Sequence, residues 1–414
     1  MIKRFIGLLK TNKTALVYAA LAVILLIGLY YRVMFAYNIE YTNAYMGTQY
    51  THDEYNYLNM IERLLAGRGY GYWADQDAFV TPGYPLFMAA IMAIFGTGAN
   101  GILAVKLVQA VLSAATVVPV FFICVKLLKN RGAALFAAAL VSFYPPLILW
   151  SRYLLTETLY IFFLMLYFLV QLHAMEKKGR ACNIAAGALF ALSVLVRPMI
   201  VVLLPLPYIY LFILNKNREE RRLLIKCFVF FVSAFVLVML PWWIRNLVVL
   251  NQFIPLGTQS NPFYAGIVRD HNTLPASDNQ FADGVRLLFS ELWHRPFETI
   301  KWFTIGKLDT IFSTPSYALP AGVSYLSSIA RPMHMYFVAL GSVGILGGLL
   351  VKKMRMISIY MLFYIVLSLL FIPTRRFGLQ YMPLLAIFSS FVLVNLYAGC
   401  SKPNDGAGQD VRLQ

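Results

Sequence analysis

The chain has 414 residues, 60% of them apolar and only 13% charged, with a formal net charge of +17. Soluble domains run near half apolar and a quarter charged, so this composition excludes an ordinary globular enzyme and assigns most of the chain to a bilayer. The positive surplus is dispersed over short connections rather than gathered in one patch, which argues against a nucleic-acid partner.

From the N-terminus, Lys3, Arg4, Lys10 and Lys13 precede an apolar run at 14–35. That run has no small-residue cleavage site and predicts a retained anchor rather than a removed leader. Further runs predict spans at 103–127, 132–150, 154–174, 183–197, 198–214, 223–243, 333–351, 356–372 and 379–398, about ten crossings of roughly 20 residues each. The pair at 183–197 and 198–214 is short and split at Arg197-Pro198. Gly83–Phe95 is apolar but also short, follows Pro82 and is closed by Gly96-Thr97-Gly98, and it reads as an interfacial or re-entrant helix.

Basic residues punctuate the runs at Lys126, Lys129 and Arg131; at Lys177, Lys178 and Arg180; at 216–226; and at Lys352, Lys353 and Arg355. Together with the N-terminus and the tail (Lys402, Arg412) they form a side with 20 basic and 5 acidic residues, net +15; the remainder has 15 and 13, net +2, and the two sum to +17. This is the positive-inside pattern. It predicts a multi-pass protein of the plasma or inner membrane with both termini cytoplasmic. The expected fold class is an all-α polytopic membrane protein: one membrane domain over 1–399, then a polar tail at 400–414 that reads as disordered.

Two long segments fall on the outer side, 37–102 and 244–332. In the first, Leu58, Ile61, Leu64 and Leu65 form an apolar stripe opposite Asn56, Asn59 and Arg63, which predicts an amphipathic helix on the membrane surface. In the second, 261–284 is rich in Asn, Pro, Asp and Gly and reads as loop. The stretch 293–312, with Trp293, Trp302 and Phe303, reads as an interfacial amphipathic helix.

The outer side also carries the groups that can do chemistry. Thr51-x-x-Glu54 fits a helix capping box, with Asp53 in the first turn. Both acids would complement the helix dipole, and Glu54 alone satisfies the cap, which leaves Asp53 as a candidate general base. Glu157, after Arg152 and Thr156, is an ionisable group at a span end; it is either paired with Arg152 or part of a site shared with Asp53. Cations gather at the same face: Lys106, Arg152, Arg197, Arg245, Arg375 and Arg376. They would snorkel to headgroups or grip an anionic lipid-linked substrate, and arginine suits phosphate because its fork binds bidentately.

These residues sit in motifs that resemble a known family. His52-Asp53-Glu54-Tyr55, Thr81-Pro82-Gly83-Tyr84-Pro85-Leu86-Phe87, Tyr144-Pro145-Pro146 with Thr156-Glu157, Arg197-Pro198, Pro241-Trp242-Trp243-Ile244-Arg245-Asn246 and Arg376-Phe377-Gly378-Leu379-Gln380-Tyr381-Met382-Pro383 follow one another over roughly residues 50–390. Their order is similar to that of GT-C membrane glycosyltransferases, in the branch of protein O-mannosyltransferases and aminoarabinose transferases. The resemblance implies a GT-C helical bundle and a sugar donor carried on a polyprenyl phosphate. It also implies inverting transfer to an acceptor hydroxyl outside the cytoplasm, and so a role in cell-envelope glycosylation. Asp53 would be the general base, with Glu54 and Glu157 as the accompanying acids. Arg197, Arg245, Arg376 and Lys106 would hold the donor phosphate. His52, Tyr55, Tyr84, Arg152 and Arg375 would contact the acceptor or support the site. The acceptor (glycan, lipid or protein) is open.

Cys124, Cys182, Cys227 and Cys400 lie in or beside apolar runs without ligand spacing, so neither disulfides nor a zinc site are expected. No metal site or certain cofactor is read, although the acids leave a divalent cation, Mg or Mn, open. A lipid-linked glycan flippase or transporter, or a glycan ligase or polymerase of the same fold, is the competing reading.

Overall fold

A computed structural model describes residues 13–38, 51–270, 274–275, 277–315 and 325–400. The tail expected to be disordered lies outside these residues. All regular structure among the described residues is helical. The first half contains α1 (Lys13–Asn38), α2 (His52–Leu65), α3 (Gly83–Phe95), α4 (Ala99–Ala115), α5 (Val117–Leu128), α6 (Arg131–Phe143), α7 (Pro145–Trp150), α8 (Glu157–Lys177) and α9 (Arg180–Val196). The second contains α10 (Leu206–Leu214), α11 (Arg218–Leu250), α12 (Asn261–Gly266), α13 (Gln280–His294), α14 (Pro296–Lys301), α15 (Lys307–Phe312), α16 (Tyr325–Gly348), α17 (Lys352–Ser368) and α18 (Met382–Cys400).

Among the described residues, six segments are long and apolar enough to cross a membrane: Lys13–Tyr37, Ala99–Leu128, Glu157–Lys177, Arg218–Leu250, Ser328–Gly348 and Arg375–Tyr397. Gly83–Phe95, Arg131–Phe143, Arg180–Val196 and Pro198–Leu214 are shorter apolar helices. The span expected at 132–150 is two helices. Tyr144 precedes Pro145 and is held extended (φ −67°, ψ 111°), because the proline ring crowds a helical residue before it.

Helix α8 sets the vertical scale of the molecule. Glu157 and Glu176 lie near its two ends, roughly 28 Å apart at 1.5 Å per residue, about the thickness of the hydrocarbon layer. At one end Glu157 pairs with Arg197 and lies near Arg376. At the other, Glu176 pairs with Lys126 at 2.5 Å, and the following Lys178 pairs with Glu220. The basic connections and the acidic centre are therefore at opposite ends of the bundle.

Inside the bundle, Arg32 of α1 is fully buried. Its Nε donates to Ser113 Oγ (2.8 Å) and its Nη1 to the carbonyls of Gly28 (2.9 Å) and Ser142 (2.8 Å). One guanidinium thus ties α1 to α4 and α6 without a carboxylate partner among the described residues. Where α9 crosses α11, a Cβ on Gly187 would stand 2.1 Å from the Phe231 carbonyl oxygen, so the two backbones approach as only glycine allows.

The second outer segment differs from its expected loop and single amphipathic helix. Residues 261–284 contain α12 and the start of α13, and the chain breaks at Arg295-Pro296 before α14. Phe289, Trp293 and Phe297 are exposed, whereas Trp302 turns inward and donates from Nε1 to Gly266 O at 3.1 Å. Helix α15 buries Lys307, whose Nζ donates to Leu369 O (2.6 Å) and Phe371 O (3.2 Å) and sits 3.7 Å from the Phe303 ring centroid. Ile372 N donates to Pro262 O at 2.7 Å. These contacts strap the outer segment onto the 369–374 connection that leads into Arg375 and Arg376.

Gly187→Ala is expected to destabilise the protein by about 1–3 kcal/mol through overpacking against a backbone that cannot yield, read as a lower thermal midpoint in detergent. Lys307 gives a pH test. Burial pushes its amine down to about 7, against about 10.4 in an unfolded chain. Between those values the unfolded state binds more protons, so this group adds stability as pH rises and removes it as pH falls, by at most about 1.4 kcal/mol per unit. Between pH 7 and 9 the thermal midpoint of the wild type is expected to climb more steeply than that of Lys307→Met.

Candidate active site

Helix α2 begins with the expected capping box. Thr51 is extended (φ −71°, ψ 163°), its hydroxyl accepts from Glu54 N (3.3 Å), and Glu54 Oε2 accepts from Thr51 N (2.9 Å). Glu54 does more than cap. Its Oε1 accepts from Leu154 N at 2.8 Å, so one carboxylate joins the start of α2 to the turn that launches α8. Burial pushes Glu54 up, and these backbone donors, with the charge of Lys106 on α4, pull it partly back. Both oxygens are occupied by backbone N–H groups, which makes Glu54 a staple.

The staple brings Asp53 to the acid at the head of α8. Asp53 Oδ2 pairs with Arg376 Nη1 at 2.7 Å, and Arg376 Nε stands 3.8 Å from Glu157 Oε1. The same Glu157 oxygen receives Arg197 Nη2 at 2.5 Å. The sequence leaves Glu157 either paired with Arg152 or in a site shared with Asp53; the two cations here come from far along the chain, and one of them, Arg376, also pairs with Asp53. Arg197 is extended before Pro198 (φ −140°, ψ 102°), donates from Nε to Thr156 Oγ1 (3.0 Å) and from Nη1 to Gln380 Oε1 (3.4 Å), and lies 5.1 Å from the Phe377 ring. Arg376 lies over the same ring at 5.4 Å. Asp53 is 37% exposed and Glu157 only 3%, so of the two acids Asp53 is the one an incoming hydroxyl can reach.

Three residues of this neighbourhood have no role in the sequence reading, two of them quoted there only as parts of motifs. Thr156 and Gln380 fix the guanidinium of Arg197. Tyr72 receives a 3.4 Å bond from Asn56 Nδ2, and burial together with the charge of Asp53 pushes its phenol well up, so it stays neutral beside the acid. Only its place among other aromatics in a polar segment could have marked it.

The remaining candidates scatter. Arg245 is turned away from the acids: it donates to Asp77 O (2.7 Å), Tyr70 O (2.8 Å), Gln76 Oε1 (2.7 Å) and Asn246 Oδ1 (3.0 Å). It clamps the 70–77 loop, with its donors taken up by protein acceptors rather than by the acids of the Asp53 centre. Tyr84 is buried and donates to Gln109 Oε1 at 2.8 Å, a core contact beneath α2. Arg152 is buried in the turn before α8, with its guanidinium 5.0 Å from the Tyr153 ring. His52, Tyr55 and Arg375 are exposed on the site's face. His52 reaches Asn56 Nδ2 at 3.5 Å and lies 6.0 Å from the Trp73 ring. Among the described residues no three His, Cys, Asp or Glu side chains converge. Asp53 and Glu157 flank one guanidinium, so as they stand they do not fit a divalent cation.

Residues 80–244, less than half of the chain, match the family model described as dolichyl-phosphate-mannose-protein mannosyltransferase. The match takes in Tyr84, Lys106, Arg152, Glu157 and Arg197. No curated protein matches the chain. Among solved structures, the archaeal oligosaccharyltransferase AglB from Archaeoglobus fulgidus, in complex with an inhibitory peptide and a dolichol-phosphate, gives a TM-score of 0.60 at 14% identity, over 97% of this chain and 53% of that one. The fold is that of the GT-C membrane glycosyltransferases. The oligosaccharyltransferase of the same organism tethered with an acceptor peptide gives 0.58 at 14% identity, over 94% and 50%. ArnT from Cupriavidus metallidurans bound to undecaprenyl phosphate gives 0.43 at 14% identity, over 94% and 79%, a likeness too low to argue from. The chain spans about half the length of the archaeal structures it matches. Within the GT-C bundle, the Asp53–Arg376–Glu157–Arg197 centre lies at the end away from the basic connections.

Arg245→Ala is expected to free the loop it clamps. Charge-assisted bonds contribute about 1.5–3 kcal/mol each, so hydrogen exchange over 70–79 should accelerate at least tenfold, while amides of α9 and α11 keep their rates. Unchanged exchange in the loop would show that Arg245 does not hold it.

Proposed function

We propose that this chain is an inverting glycosyltransferase that moves a sugar from a polyprenyl-phosphate donor to an acceptor hydroxyl on the extracytoplasmic side of the membrane. The observation that carries the reading is the reachable carboxylate of Asp53 held by Arg376 beside the buried Glu157–Arg197 pair, in a GT-C bundle. The family match over 80–244 supports a lipid-linked sugar donor. The basic end of the bundle supports the orientation, since it belongs in the cytoplasm and leaves the acidic centre outside.

The arrangement gives each group a role. Arg197 and Arg376 present guanidinium groups to the donor phosphate, where fixed charge offsets the charge that develops on the departing phosphate oxygen. Arg376 is engaged by Asp53 before donor binds. A donor phosphate that takes over this guanidinium leaves the Asp53 carboxylate free to act. The acceptor oxygen then attacks the anomeric carbon as its proton passes to Asp53, and the bond to the phosphate breaks with its electron pair on the phosphate oxygen. Glu157, between Arg197 and Arg376, keeps the two guanidinium groups in register. The residues do not fit a metal here, and no step needs one.

Asp53→Asn is expected to lower transfer by about 10²–10⁴-fold, the usual contribution of a positioned base, while donor binding persists. The measurement is label transfer from radiolabelled polyprenyl-phosphate sugars in membranes carrying wild type or variant. Near-normal turnover by Asp53→Asn would remove the base assignment. Donor binding without transfer by the wild type would move the reading to a flippase, or to a ligase that moves whole glycans.

A further inference from the structure

The end of the bundle opposite the proposed catalytic centre holds a groove of about 840 Å³. Helices α5, α8 and α9 form its walls. Ala181 and Ala185, on the exposed face of α9, keep one wall low, and Phe122 of α5 and Leu169 of α8 line the opposite side. The mouth is basic. Lys126, Lys129 and Arg131 all line it, from the last turn of α5 and the connection to α6. Lys126 is paired with Glu176, and Arg131 donates to Thr14 Oγ1 at 2.7 Å. Among the described residues, neither Lys129 nor Arg131 has a carboxylate partner.

Lys129 is also held in an unusual conformation. It adopts a left-handed backbone (φ 55°) as the cap of α5, a position normally given to glycine. A lysine there bears backbone strain, and the residue is exposed and lines the groove.

We infer that this groove is a binding site for one glycerophospholipid with an anionic headgroup. An apolar cleft between membrane helices, topped by a cluster of cations at the basic end, matches such a lipid in both parts: acyl chains along Phe122 and Leu169, phosphate and anionic head at Lys129 and Arg131. The charge complementarity chooses an anionic lipid over a zwitterionic one. The volume suits one headgroup with the upper part of its chains, whereas lysines that merely snorkel to bulk headgroups need no cleft between them. This inference does not depend on the transferase reading, because the groove and the acidic centre lie at opposite ends of α8.

The test is native mass spectrometry of the full chain in mild detergent, titrated with phosphatidylglycerol or with phosphatidylcholine of the same acyl chains. One phosphatidylglycerol is expected to stay bound about tenfold more strongly than phosphatidylcholine. Lys126→Gln with Lys129→Gln and Arg131→Gln should abolish that preference. Ala181→Leu with Ala185→Leu should fill the groove and reduce binding of both lipids with every charge in place; it decides the matter if the triple variant fails to fold. Equal retention of the two lipids by the wild type, or unchanged retention in the leucine variant, would overturn the site. Displacement of phosphatidylglycerol by millimolar inorganic phosphate, or by an equimolar polyprenyl monophosphate, would overturn the assigned occupant.

Discussion

A carboxylate buried at the edge of a bilayer needs fixed cations, and the placing of several elements follows from supplying them to Glu157. Arg197 arrives because α9 stops at Val196 and Pro198 keeps the residue before it extended, so the side chain crosses to the head of α8. Arg376 arrives from a short turn after α17, strapped from outside by Lys307 and by the contact of Pro262 with Ile372. Leaving such a carboxylate unpaired would cost about 3–5 kcal/mol. Two of the breaks between apolar helices are therefore points at which a cation reaches the buried carboxylate.

Two adjacent acids at the start of α2 are separated by the same physics. Glu54 points inward, where burial would disfavour its charge, and it is held by two backbone N–H donors from different segments. Asp53, one residue earlier, lies on a neighbouring side of the helix and meets a side-chain guanidinium with solvent still open to it. A backbone N–H cannot leave its partner without unfolding a turn; an arginine side chain can move to a competing phosphate. The mobile contact is thus the one suited to a catalytic cycle.

The local parts of this site were legible in the sequence and the long-range parts were not. Thr51 and Glu54 are three residues apart, and a capping box depends on nothing else. That Arg197 and Arg376 fall at one end of the bundle was legible, because span ends and loop charges group them. The division of labour among the arginines was not. Arg197 and Arg245 look alike in sequence, each in a proline-containing motif at an expected span end, yet one meets Glu157 and the other meets the carbonyls of Tyr70 and Asp77. Only the path of the 66–82 segment separates them, and no periodicity encodes that path. Arg32 was missed for a related reason: a lone arginine in an apolar run reads as the end of a span, and its acceptors at Ser113 and Ser142 belong to other helices. The outer 261–312 segment went the same way, since its breaks answer to contacts with 369–378 rather than to its own composition.

Helix α8 ties function to orientation. Its first residue belongs to the acidic centre, and Glu176, near its other end, holds Lys126 at the mouth of the basic groove. Because one rigid helix joins them, neither site can change sides of the membrane without the other. In the proposed orientation, the cations of the basic end therefore also set the leaflet from which Asp53 and Arg376 are reached. The same cations make a cleft beside them attractive to an anionic lipid, which would brace the end of the bundle opposite the chemistry.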